Sequence, residues 1–140
     1  MLQAIKNFVV RFIPPRMYWT LAGMVNPYSA AISGQKEAST FYPLGHDELA
    51  LFKKLGLIQE SSRTLEIGCG PGRIQWVLAK WNMNLEVHGT DFSRSMIQLA
   101  KLNVPKAKFT VGNGKNLRQY ESNFFHFVYS FVVFQHVDEE

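Results

Sequence analysis

A chain of 140 residues with 46% apolar side chains is long enough for one domain with a real core and too short for two. Cys69 is its only cysteine, which excludes an internal disulfide, leaves no thiol partner at metal-ligand spacing, and makes a reducing cytoplasm the expected compartment. The net charge of +4 is modest, and the basic residues are neither clustered nor interleaved with aromatics, so nucleic-acid binding is not expected.

Lys6, Arg11 and Arg16 are the only charges in the first twenty residues. Arg11 interrupts the apolar run Phe8 to Ile13, and Pro14-Pro15 ends any helix there, so neither a membrane span nor a signal peptide fits. Residues 1–44 read as a cap and lead-in, with 1–19 a cap over a downstream pocket and weak contact with an anionic membrane as the second reading. Met17 to Ala38 give no firm periodicity, although Tyr18, Trp19 and Tyr28 are candidates to line a cavity and Ser33-Gly34 reads as a bend. His46-Asp47-Glu48 opens a helix with Leu49, Phe52 and Leu55 facing inward, Asp47 as N-cap and Gly56 as the stop.

Thr64 to Ile67 form a short buried strand, and Ile74, Val77, Leu78 and Trp81 follow at helical spacing. The glycines between them therefore occupy a strand-to-helix turn, where bare backbone lets a ligand approach closely and the following helix favours an anionic group. A dinucleotide fingerprint G-x-G-x-x-G counted from Gly68 would need glycine at position 73, which is Arg73. Leu85 to Thr90 form a second strand ending in Asp91-Phe92, before a helix capped by Ser93 with Met96, Ile97, Leu99 and Ala100 inward. A carboxylate at that strand end lies beside the glycine turn, where it can accept two ribose hydroxyls. Ala107 to Val111 make a third strand closing on Gly112-Asn113-Gly114, itself a strong turn signal. The aromatic run Phe124 to Val137 suits a central strand over Phe125 to Ser130, covered on both faces, with His136 beyond it.

Glu66-x-Gly68-x-Gly70-x-Gly72 resembles the first motif of the class I S-adenosylmethionine-dependent methyltransferases, and the resemblance extends over Gly45 to Val137. It implies an α/β, Rossmann-like fold with a mostly parallel sheet and S-adenosyl-L-methionine as cofactor. Glu66, Gly68, Cys69, Gly70 and Gly72 would hold the methionine end, the acid near the ammonium and the backbone near the carboxylate. Asp91 would bind ribose, Phe92 and Met96 would pack on the cofactor, Asn113 and Gly114 would meet the adenine edge, and Ser130 would border the cofactor and the acceptor opening. Asn113 departs from the family's usual Asp. His136 matches a family His that contacts substrate or acts as base, although a packed His is the plainer account. No metal is implied.

The implied function is methyl transfer to a small-molecule acceptor. A noncatalytic cofactor-binding fragment or scaffold is the alternative, and a nucleotide-dependent oxidoreductase is disfavoured by Arg73. The family's sheet runs 3-2-1-4-5-7-6, and only the first four strands are found here. Residues 45–140 thus read as the cofactor-binding domain truncated after its fourth strand, whose edge a missing half or another chain would cover.

Overall fold

The computed structural model describes residues 14–32 and 34–133. Four parallel strands, β1 (Arg63–Ile67), β2 (Glu86–Asp91), β3 (Lys108–Val111) and β4 (Phe127–Tyr129), form one sheet in the order β3-β2-β1-β4. The central strand β1 pairs Thr64 with Val87 on one side and with Phe127 on the other. Parallel neighbours need crossovers, and helices supply them: α5 (Arg73–Leu78) joins β1 to β2 and α6 (Arg94–Asn103) joins β2 to β3.

Among the described residues, four α-helices and a short 3-10 helix (Tyr42–Leu44) precede the sheet. The residues whose helix Pro14-Pro15 was expected to end lie outside the described residues; Pro15 itself takes the first position of α1 (Pro15–Val25), where a missing N–H costs nothing. A short α2 (Pro27–Ala31), capped by the Asn26 side chain, and α3 (Ala38–Phe41) follow. Gly34 is in the left-handed region, as a bend requires, while Ser33 lies outside the described residues. Helix α4 (Gly45–Lys54) starts from Leu44, not from an Asp47 cap; Asp47 and Glu48 sit in its first turn, favourable to the helix dipole. Leu49 and Phe52 are buried as expected, but Leu55 is 58% exposed, because the helix has already ended there. Gly56 donates to the Lys53 carbonyl and Leu57 to that of Phe52, which closes the helix.

Two apolar clusters hold the layers together. One packs Leu49 and Phe52 of α4 and Ile74, Val77 and Leu78 of α5 against Val87 and Tyr129. The other packs Ile97 and Ala100 of α6 against Val104, Phe109 and Cys69. Helix α5 ends at Leu78, so Trp81 joins the first cluster only from the turn beyond it. Strand β4 is shorter than expected and lies at the edge of the described sheet, with Tyr129 buried and Val128 exposed, so it is not covered on both faces.

Gly72 is where the turn after β1 meets the second cluster. Its φ is +86°, and a Cβ there would stand 3.2 Å from Phe109 Cζ and 3.3 Å from the Ala100 Cβ. Gly72→Ala is expected to destabilise by about 1–3 kcal/mol through left-handed strain and crowding, read as a lowered denaturation midpoint with an unchanged slope. A midpoint equal to the parent's would show that the turn relaxes freely.

Candidate functional site

A cleft of about 880 Å³ opens at the carboxyl ends of the strands. Its floor is the turn after β1 (Gly68, Cys69, Gly70, Pro71), its flank is Asp91 and Phe92 after β2 with Met96 of α6, and its far rim is Gly112 to Leu117 after β3. Trp19 of α1, Ala30 to Ile32 and Phe41 make the N-terminal wall, and Phe131 to Val133 close the side after β4. This is where a doubly wound sheet places its ligands, since neighbouring loops diverge there to either face.

The turn is held mainly by its own backbone. Gly68 and Cys69 donate their N–H groups to the Thr90 carbonyl at 2.8 and 3.1 Å, and Gly72 donates to the Cys69 carbonyl. Gly70 N–H donates to Asp91 Oδ2 at 2.9 Å, so the acid after β2 fixes the turn after β1. What the glycines present to the cleft is bare Cα surface. Tyr42 adds a brace from outside: its hydroxyl donates to the Pro71 carbonyl at 3.1 Å and accepts from Asn103 Nδ2 at 2.6 Å.

Two carboxyl groups face one another across this turn. Asp91 accepts Gly70 N–H on one oxygen and Ser93 N–H at 2.8 Å on the other. Burial raises its pKa while those backbone donors, led by Ser93, pull it back. Glu66 is buried at the end of β1, and loss of solvent pushes its carboxyl up to about 8 against the opposing bond from Gln75. Gln75 of α5 is completely buried and donates Nε2 to Glu66 Oε2 at 2.8 Å. Burial also raises the Cys69 thiol, which keeps it an uncharged wall residue with no nucleophilic character.

Of the residues the sequence points to, Glu66, Gly68, Cys69, Gly70, Asp91, Phe92, Met96, Asn113 and Gly114 all border the cleft. Gly72 and Ser130 do not: Gly72 is turned into the core against Phe109, and Ser130 donates its hydroxyl to the Ile67 carbonyl at 2.8 Å. Asn113 Oδ1 already accepts the N–H groups of Lys115 and Asn116, and its amide donates to Asn116, so it works first as a turn former. Trp19 reaches the cleft, whereas Tyr28 packs on Phe41 and Tyr42, and Tyr18 packs edge-on against Trp19. His136 lies outside the described residues.

Sequence reasoning missed Gln75, Tyr42 and Glu48. Glu48 of α4 forms a two-pronged ion pair with Arg73, whose guanidinium also lies 5.8 Å from the centre of the Phe41 ring. Arg73 therefore stands where a dinucleotide turn would need glycine and bolts α5 to α4. A buried Gln nine residues after a strand acid was the one available signal, and it becomes meaningful only once the helix folds back over the strand.

The family described as a methyltransferase domain matches residues 65–140. A malonyl-[acyl-carrier protein] O-methyltransferase of Bacillus cereus is 32% identical over 95 residues, covering 66% of this chain and 35% of the relative. A trans-aconitate 2-methyltransferase of Variovorax paradoxus is 34% identical over 56 residues, 40% of this chain and 22% of the relative. The chain thus spans about a third or less of the curated relatives it matches. Among solved structures, a phosphoethanolamine N-methyltransferase of Haemonchus contortus, in complex with phosphomonomethylethanolamine and S-adenosylhomocysteine, superposes with a TM-score of 0.54 at 28% identity, covering 67% of this chain and 23% of that one. The magnesium protoporphyrin IX methyltransferase of Synechocystis, at 17% identity, shares the fold with a TM-score of 0.63 over 88% of this chain and 62% of its own.

Proposed function

The chain belongs to the methyltransferase-domain family, and from that premise we propose that it binds S-adenosyl-L-methionine in the cleft and passes the methyl group to a small-molecule acceptor. The observation that carries this reading is a pair of carboxyl groups, the buried Glu66 and the half-buried Asp91, on either side of a glycine turn at the ends of adjacent parallel strands.

The donor set suits that cofactor. Asp91 accepts the Gly70 N–H on one oxygen and the Ser93 N–H on the other, and its remaining acceptor capacity suits two neighbouring ribose hydroxyls. Gln75 engages only Oε2 of Glu66, which leaves Oε1 for an ammonium group, and a cation there would draw the carboxyl back to its ionised form. Phe92 and Met96 offer apolar faces to the adenine, with Gly114 packed beside Phe92. When bound, the cofactor supplies a methyl group on a positively charged sulfur. The chain's own contribution is alignment and exclusion of water: the two acids orient the ligand while Trp19, Phe41 and Phe131 wall off the cleft. His136 is the candidate base for an acceptor that must lose a proton. In this account residues 1–44 form the cap, residues 45–140 form the cofactor domain, and the compartment is the cytoplasm.

Calorimetry should detect S-adenosylhomocysteine binding and no NAD binding. Asp91→Ala removes a charged acceptor from both hydroxyls and should weaken binding by about 1.5–3 kcal/mol. An unchanged affinity in that variant removes Asp91 from the site. Tight binding without turnover on a panel of small phenols, amines and carboxylates favours the noncatalytic alternative.

A further inference from the structure

Helix α1 packs by one face and leaves an apolar face exposed. Its inner face lies on α6: Ser95 Oγ donates to the Thr20 carbonyl at 2.9 Å, and a Cβ at Gly23 would meet Ser95 Oγ at 2.8 Å. Trp19 reaches the cleft from the same side. Its outer face carries Met17, Leu21, Met24 and Val25, which recur at i, i+4, i+7 and i+8 and are between 48% and 87% exposed. A helix of a water-soluble surface would place charges there, yet the only charged residue of α1 is Arg16. An apolar stripe of this kind marks a surface that meets another apolar phase.

Charge decides which phase. Lys6, Arg11, Arg16 and Lys36 precede the first carboxylate of the chain, Glu37. With 15 basic and 11 acidic residues in all, everything from Glu37 onward is balanced, so the entire net charge of +4 belongs to the segment containing α1. Arg16 and Lys36 are exposed. Exposed apolar side chains within a purely cationic segment fit the boundary of an anionic bilayer, which takes up the side chains and attracts the cations. A second copy of this chain would bring the same positive charge to the same place and be repelled. None of the described helices is long and apolar enough to cross a membrane, so the contact is interfacial.

We propose that the outer face of α1 docks this protein on an anionic lipid surface, with Met17, Leu21, Met24 and Val25 entering the headgroup boundary and the exposed Arg16 beside them holding charged lipids. The docking does not depend on methyl transfer.

Flotation with vesicles of equal parts phosphatidylglycerol and phosphatidylcholine tests it against vesicles of phosphatidylcholine alone. The full chain should float with the anionic vesicles, less so as salt is raised, and should stay behind with the neutral ones. Leu21→Glu combined with Met24→Glu should cut the bound fraction about tenfold or more, with the far-ultraviolet circular dichroism spectrum unchanged. Leu102→Glu, which replaces an apolar residue exposed on α6, should leave flotation as it was. Arg16→Glu, at an exposed position, should weaken flotation at low salt whether or not the double variant folds. The proposal is overturned by absence of flotation with anionic vesicles, by equal flotation with neutral ones, or by an equal loss in Leu102→Glu. A dimer that the Leu21/Met24 double variant dissociates, without vesicle binding by the parent chain, assigns the face to a second copy instead.

Discussion

Glu66→Gln is expected to lose most S-adenosylhomocysteine binding and, at the same time, to stabilise the ligand-free fold at alkaline pH. Binding falls because a neutral amide cannot pair with an ammonium; the loss of one buried charge-assisted contact corresponds to about 3 kcal/mol, or roughly a hundredfold in affinity. The stability gain follows from linkage. Burial raises the Glu66 carboxyl from 4.5 to about 8, so between those values the folded chain holds a proton that the unfolded chain has released. The unfolded state binds fewer protons there, and stability therefore falls as pH rises through that window, by up to about 1.4 kcal/mol per unit. Asp91, whose carboxyl is also raised by burial, adds to the same slope. Gln at position 66 does not titrate, and its carbonyl can still accept the Gln75 amide. Thermal melts at pH 5 and pH 8 should show the variant gaining on the parent as pH rises. Parallel curves would mean that Glu66 is ionised and solvated in the free protein.

Glu48→Ala is expected to cost the fold about 3 kcal/mol, the lower end of the range for removing one partner of a buried ion pair, because Glu48 itself keeps some access to solvent. Arg73 would be left buried against Phe41 with its charge unmatched. Pairing Glu48→Leu with Arg73→Met should recover most of that loss, since apolar side chains of similar volume avoid the desolvation cost altogether. Urea denaturation of the single and double variants makes the comparison. A single variant within about 0.5 kcal/mol of the parent would place the pair among surface contacts of little consequence.

The sheet was legible because each of its first three strands ends in residues that no buried strand tolerates by chance: the glycines after Ile67, Asp91 after Thr90, and the Asn113-Gly114 turn after Val111. The extent of β4 was not. Phe124 and Phe125 look like strand residues, but they leave the ladder to enclose the His88 ring, and only Phe127 to Tyr129 pair with β1. Helix α1 was illegible for a different reason. Its regular apolar stripe, Met17, Leu21, Met24 and Val25, faces away from the core, and a small residue such as Gly23 marks the packed face only when the neighbouring helix is known. Within the site, motif residues on loops were readable from type and spacing. The Gln75 and Glu48 partnerships were not, because each depends on how a helix lies against another element, and only the packed structure sets that register.

The pairing of β4 with β1 joins residues more than sixty positions apart, Thr64 with Phe127 and Glu66 with Tyr129. Strands β1 to β3 and their crossovers use nearer partners and can assemble earlier. Phe52 of α4, however, finishes its packing only when Phe127, Tyr129 and Phe131 arrive. Closing a loop of that length spends chain entropy before any contact repays it, and slow folding follows from such non-local pairing. On a ribosome the order is also fixed, since β1 emerges long before β4. Through that interval α4 carries an uncovered aromatic, and the growing chain is most vulnerable to misassociation.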